Sequence, residues 1–206
     1  MSTLQLIWDT KSPSSTQQLW SWDNGNIHYT AQYVRLIRKG VYMFRIGNRY
    51  TEPSDVIALK LVRGKEALEE MEREASFYQN QLKDLQGTVV PKCYGFYTAK
   101  VGGTPIGCLL LEHCSGPPVD IVRRQEVRYK SMQAAYALHR AGVLHGDLVD
   151  GRHFVSMGHD IRIIDFAVAV PHKCVSGLSK RAAGHGRQHT CGCPELATLE
   201  STYARL

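Results

Sequence analysis

From residue 33 onward, apolar and polar positions alternate in short runs. YVRLIRKG (33–40) and VYMFRIG (41–47) meet at Gly40, and DVIALKLV (55–62) follows the turn-rich NRYTEPSD. Period-two alternation bounded by Gly, Asn, Asp and Pro predicts three strands. The period then lengthens. In GKEALEEMEREASFYQNQLKDLQG (64–87), Leu68, Met71, Ala75, Tyr78 and Leu82 recur three or four residues apart, which predicts a helix closed by Gly87. VVPKCYGFYT (89–98) and GCLLLEH (107–113) are two further strands, joined by the turn KVGGTPI. The order β-β-β-α-β-β implies a mixed antiparallel sheet carrying one helix, an α+β arrangement rather than a doubly wound parallel sheet.

After CSGPP a second helix is predicted over residues 123–141, with Val127, Met132, Ala135 and Leu138 on one side and Gly142 at its end. Two short strands, HFVSM and IRIID, flank a hairpin at GHD. Residues 171–192 are rich in Gly, His and Lys without periodicity, and CPELATLESTYARL forms a closing helix. Residues 1–28, with Ser, Gln, Asn and Pro around Trp8, Trp20 and Trp22, read as a loosely packed lead-in.

Composition narrows the class. With 206 residues, 43% of them apolar, the chain can bury roughly 70% of its unfolded surface, enough for one domain or two small lobes. The net charge of +6 is spread along the sequence and not clustered, so it describes a solvated surface and makes no case for nucleic acid. No apolar run approaches the ~20 residues of a membrane span, and no charged segment leads into a signal-like core. A soluble, cytoplasmic protein with no membrane partner is expected. Six cysteines without a secretory signal suggest reduced thiols or a metal, not a disulfide framework.

Four charged residues stand out. Lys60 in VIALKL shares its strand face with Ala58 and Val62, so its ammonium needs a counter-anion, and Glu74 on the following helix is placed to supply one. Asp147 follows His145 and Gly146 in LHGDLVDGRHF, and Asp165 ends the run IRIID. A carboxylate at a strand end suits a hard cation such as Mg²⁺. A second one, a loop and a hairpin away, suits phosphoryl transfer, in which the protein chiefly positions and neutralises. Singly, each residue reads as a surface lysine, a solvated glutamate or a turn-capping aspartate. As an ordered set they read differently.

That set resembles the protein kinase-like superfamily, in particular compact, divergent fungal-type kinase-like proteins with a His-Gly-Asp catalytic loop. The resemblance covers residues 30–171. It implies a two-lobed fold, with a five-stranded antiparallel N-lobe plus one helix (29–114) and a truncated, mainly helical C-lobe with a His/Cys-rich tail (115–206). It also implies an ATP- and Mg²⁺-dependent phosphotransferase acting on a hydroxyl-bearing acceptor, a protein Ser/Thr or a small molecule. Lys60 then contacts nucleotide phosphates and Glu74 holds it, with Phe77 and Tyr78 as the apolar pair behind. Leu111 is the gatekeeper, and the Glu112 and Cys114 backbones meet adenine. Asp147 orients or deprotonates the acceptor, and Asp165 is the magnesium ligand.

Several positions depart from the family pattern. Only Gly40 stands where a glycine-rich phosphate loop is expected, and Gly146 replaces the arginine that anchors a phosphorylated activation loop. Arg152, or His153 with one inserted residue, takes the place of the asparagine that binds a second metal. CPEL resembles a remnant of the Ala-Pro-Glu segment. These departures support the alternative of a pseudokinase, a nucleotide-binding or scaffold module without turnover. The tail holds His172, Cys174, His185, His189, Cys191 and Cys193. Within it, His185, His189, Cys191 and Cys193 could supply four ligands to a structural zinc.

Overall fold

Leu4 and Leu6 flank Gln5, and this short alternation sets the architecture of the N-terminal half. A computed structural model describes residues 1–21, 25–48, 50–116, 125–174 and 192–203. They fall into two compact units, Met1–Ser76 with Lys92–His113 and Phe77–Pro91 with Cys114–Leu206.

The first unit contains strands β1 (Ser2–Ile7), β2 (Thr16–Ser21), β3 (His28–Arg38), β4 (Val41–Asn48), β5 (Asp55–Arg63), β6 (Cys93–Val101) and β7 (Thr104–Glu112), with helix α1 (Lys65–Gln79) between β5 and β6, its last residues from Phe77 belonging to the second unit. They close into a barrel of order β1-β2-β6-β7-β5-β4-β3. Every neighbouring pair is antiparallel except β1 and β3, which run parallel with Leu4 opposite Tyr29. Alternation sends one face of each strand inward. Leu4, Leu6, Leu19, Ala31, Phe44, Ile46, Ile57, Leu59, Tyr97, Ile106, Cys108 and Leu110 form the barrel core. Each fully buried Leu or Ile there contributes roughly 1.5–3 kcal/mol.

The expectation of a two-lobed kinase-like fold with a five-stranded sheet is overturned. The described residues form a mostly β protein with a closed seven-strand barrel and three α-helices. The five expected strands and α1 are present in the expected order, but residues 2–21, read as a lead-in, add two more strands. The physical reason lies at the sheet edges. β3 and β6 would otherwise expose unpaired backbone groups. β1 covers β3 over five register pairs, and β2 reaches β6 at Trp20 opposite Thr98.

Helix α1 rests on β7 through Leu68. A Cβ at Gly107 would stand 2.6 Å from the tip of the Leu68 side chain, so any larger residue there would push that side chain aside. The helix is shorter than its periodicity suggests. It ends at Gln79, and a 3-10 turn, Lys83–Leu85, follows.

The second unit contains α2 (Gln125–Arg140), β8 (Val143–Leu144), β9 (Phe154–Met157), β10 (Asp160–Ile163), β11 (Val170–Pro171) and α3 (Pro194–Tyr203). β9 and β10 form the expected hairpin, turning at Gly158 with φ 63°. Among its described residues this unit holds two helices and four short strands, of which β8 and β11 were not expected. Gly142, at φ 85°, ends α2, and its carbonyl accepts the His172 N–H at 2.8 Å, just past the β8–β11 ladder. No helix among the described residues is long and apolar enough to cross a membrane.

Candidate functional site

In the barrel unit, Ile57 and Leu59 point into the core, so Lys60 points out, on the face that meets α1. Its Nζ donates to Glu74 Oε1 at 2.6 Å, and both side chains are largely buried, at 13% and 4% exposure. The structure therefore brings this pair together as the alternation suggested. Gly40 occupies a tight turn between β3 and β4 at φ 74°, and its carbonyl accepts the Leu61 N–H at 2.8 Å. Such a turn is shorter than a loop that wraps a phosphate in successive amides. Leu111 is buried on β7 between Ala58 and the Cys93 position. The Glu112 N–H is donated to the Lys92 carbonyl at 2.8 Å. Cys114, half-buried and in no disulfide, belongs to the second unit.

In the second unit the loop after β8 gathers charged groups. The Asp147 carboxylate accepts hydrogen bonds from Arg152 and, at 3.1 Å, from His153 Nε2. The Arg152 guanidinium holds the Asp147 carboxyl below the usual carboxylate range, with His153 adding to the effect. His153 Nε2 also lies 3.0 Å from Arg152 Nε, so it donates to Asp147 in one tautomer or accepts from Arg152 in the other. Arg152 in addition pairs with Asp150 and feels the charge of Asp165. Arg152 thus pairs with Asp147 and Asp150 and lies within electrostatic range of Asp165, at the place where the expected pattern has asparagine.

Asp165 adopts φ 71°, a left-handed conformation that is unusual for a non-glycine residue. Strained backbone of this kind costs on the order of 1–3 kcal/mol and clusters at functional sites. His145, fully buried, places Nε2 3.1 Å from the Ile164 carbonyl and packs its ring against Phe166, centroids 5.0 Å apart. Burial pushes its pKa down, so the ring is neutral near pH 7 and Nε2 carries the proton that Ile164 accepts. A hard cation such as Mg²⁺ requires oxygen ligands. The Asp165 carboxylate fits that requirement, whereas His153, a nitrogen donor engaged with Asp147, does not.

Helix α3 braces this loop from both sides. Glu195 accepts the backbone N–H groups of His145 at 3.1 Å and Gly146 at 2.6 Å, and Tyr203 donates to the Val149 carbonyl. Glu195 also accepts from His139 Nε2 at 2.7 Å. Burial works to raise the Glu195 pKa, but these N–H donors outweigh it and hold the carboxyl below its ordinary range. The CPEL segment is therefore a loop anchor.

A cluster of four potential metal ligands lies behind this brace. One donor atom from each of His139, His172, Cys174 and Cys193 falls within 4.8 Å of the others. The sequence pointed to Cys193, His172 and Cys174 within the tail but missed His139. Its signal was position: four residues after Ala135, it shares the buried face of α2. His185, His189 and Cys191, the other zinc ligands expected, lie outside the described residues. A groove of about 460 Å³ lined by Thr88, Lys130, Arg140 and Asp160 contains none of the site residues.

No known family model matches this sequence, and no curated protein sequence matches it.

Proposed function

We propose that this chain is an ATP-dependent phosphotransferase. Lys60, steadied by Glu74, supplies the cation for the nucleotide phosphates. The Asp165 carboxylate takes the magnesium, and Asp147 orients the acceptor hydroxyl, on a protein or a small molecule. When bound, Mg²⁺ would neutralise phosphate charge.

The observation that carries this reading is the buried Lys60–Glu74 pair. Replacing a buried ion pair with packed apolar groups is often neutral or stabilising, so stability alone gives a weak reason for such a pair. A role toward an anionic ligand gives a stronger one. The left-handed Asp165 beside Arg152 supports the same chemistry. Phosphoryl transfer asks for charge placement more than for a particular fold, so the barrel is no obstacle to it.

The engagement of Asp147 with Arg152 and His153 favours a second reading, a nucleotide-binding module without turnover. Both side chains must share that carboxylate with an incoming hydroxyl.

Phosphate release from γ-labelled ATP, measured on the purified full chain with Mg²⁺, separates the two. The enzyme reading expects release that falls about a hundredfold or more in Asp147→Asn and also in Lys60→Met and Asp165→Asn. Release that all three variants retain would point to a contaminant and overturn it. No release, with ATP·Mg²⁺ still raising the thermal midpoint, selects the second reading.

A further inference from the structure

Three elements of the second unit converge on one small volume. His139 ends α2. His172 and Cys174 follow β11, which the bond from His172 N–H to the Gly142 carbonyl pins beside the end of that helix. Cys193 sits just before α3, whose Ala197 N–H bonds the Cys193 carbonyl at 2.9 Å. His139, Cys174 and Cys193 are buried.

The protonation pattern at His139 is fixed by its partner. Glu195 only accepts, so His139 Nε2 carries the proton and Nδ1 presents its lone pair, 3.5 Å from Cys193 Sγ. A carboxylate on the far nitrogen is the arrangement that orients metal-binding histidines and raises their basicity. His172 Nε2 is buried without a hydrogen-bond partner, an expensive state for a polar atom, and a metal bond removes that cost. The rings of His139 and His172 lie 5.3 Å apart and nearly perpendicular.

We propose that His139, His172, Cys174 and Cys193 form a structural zinc site that fastens α2, the segment after β11 and α3 together. Two thiolates and two imidazoles are a preferred tetrahedral zinc set. Ligand atoms about 2.0–2.3 Å from the metal stand roughly 3.3–3.8 Å from one another. The observed cluster is that size to within about an ångström, a gap that side-chain rotation closes. Binding displaces one proton from each thiol into solvent, so two protons leave as Zn²⁺ enters and no redox change occurs. With four protein ligands and a buried position the site is closed, which suits a structural role. Through His139 and Glu195 the ion would also steady the backbone of His145 and Gly146, ahead of Asp147. The site rests on its own geometry and stands whether or not the chain turns over ATP.

The test is metal analysis of the full chain purified without added metal, followed by chelation and titration with Co²⁺. The expected result is one equivalent of zinc per chain, lost in Cys174→Ser and in Cys193→Ser. It is retained when His185, His189 and Cys191 are replaced together. The chelated wild type should take up one Co²⁺ with the visible absorption of a tetrahedral thiolate site, and its thermal midpoint should recover. Because the cobalt arm uses the wild type, it stands even if the cysteine variants fail to fold. Absence of zinc together with no cobalt uptake would overturn the proposal. So would metal held equally by the cysteine variants, or a Cys174–Cys193 disulfide in the native protein.

Discussion

His145 shows how burial turns a side chain into a constraint on conditions. Its pKa in the folded protein lies below the ordinary value near 6.5, chiefly because the ring is buried against Phe166 and His153, an effect that the hydrogen bond to the Ile164 carbonyl only partly offsets. Below pH about 6.5 the unfolded chain binds a proton that the folded chain resists. Stability is therefore full above that pH and declines as pH falls toward the lowered folded value. Urea midpoints should rise between about pH 5 and pH 7, and His145→Gln should flatten that rise. An unchanged slope in the variant would mean that another group governs it. Lys60 and Glu74 were legible at this scale because strand alternation and helix position follow from local sequence. His139 was not, since its partners lie 33 residues or more away along the chain and nothing local distinguishes it from any histidine near a helix end.

Among the elements, β1 and β2 decide the architecture of the first unit. Five of the seven barrel strands were legible from apolar alternation, and so was the helix after the third of them. The two N-terminal strands were not, because Thr3, Gln5, Thr16 and Gln18 face outward and the small polar Ser2 and Ser21 share the buried faces, a mixture that resembles loop composition. Leu4, Leu6 and Leu19, all fully buried, carried the missed signal. Leu6→Ala consequently tests the barrel. A buried Leu→Ala change costs about 2–5 kcal/mol, so the denaturation midpoint should fall clearly. In a loosely packed lead-in the same change would be nearly silent. Helix α3 plays the corresponding part in the second unit. The sequence marked CPEL as a segment of interest, but its bonds to His145, Gly146 and His139 depend on long-range packing that no local pattern encodes.

For the molecule as a whole, each unit holds its own set of charged groups. The barrel unit holds a lysine by a buried glutamate. The second unit sets Asp147 and Asp150 against Arg152 and braces their loop with α3, with a four-ligand cluster behind it. The two-lobed kinase-like outline did not survive, whereas the charged residues it singled out sit in ordered local settings. That contrast is expected when chemistry depends on a few positioned side chains and architecture on the sum of all the strands. Phosphate recognition is the central claim of the proposed function. Isothermal titration of the full chain with ATP, with and without Mg²⁺, tests it most directly. The account predicts saturable binding that strengthens with Mg²⁺ in the wild type and in Asp147→Asn, and that loses its Mg²⁺ dependence in Asp165→Asn. An absence of binding at millimolar ATP, or a magnesium effect that Asp165→Asn leaves intact, would contradict it.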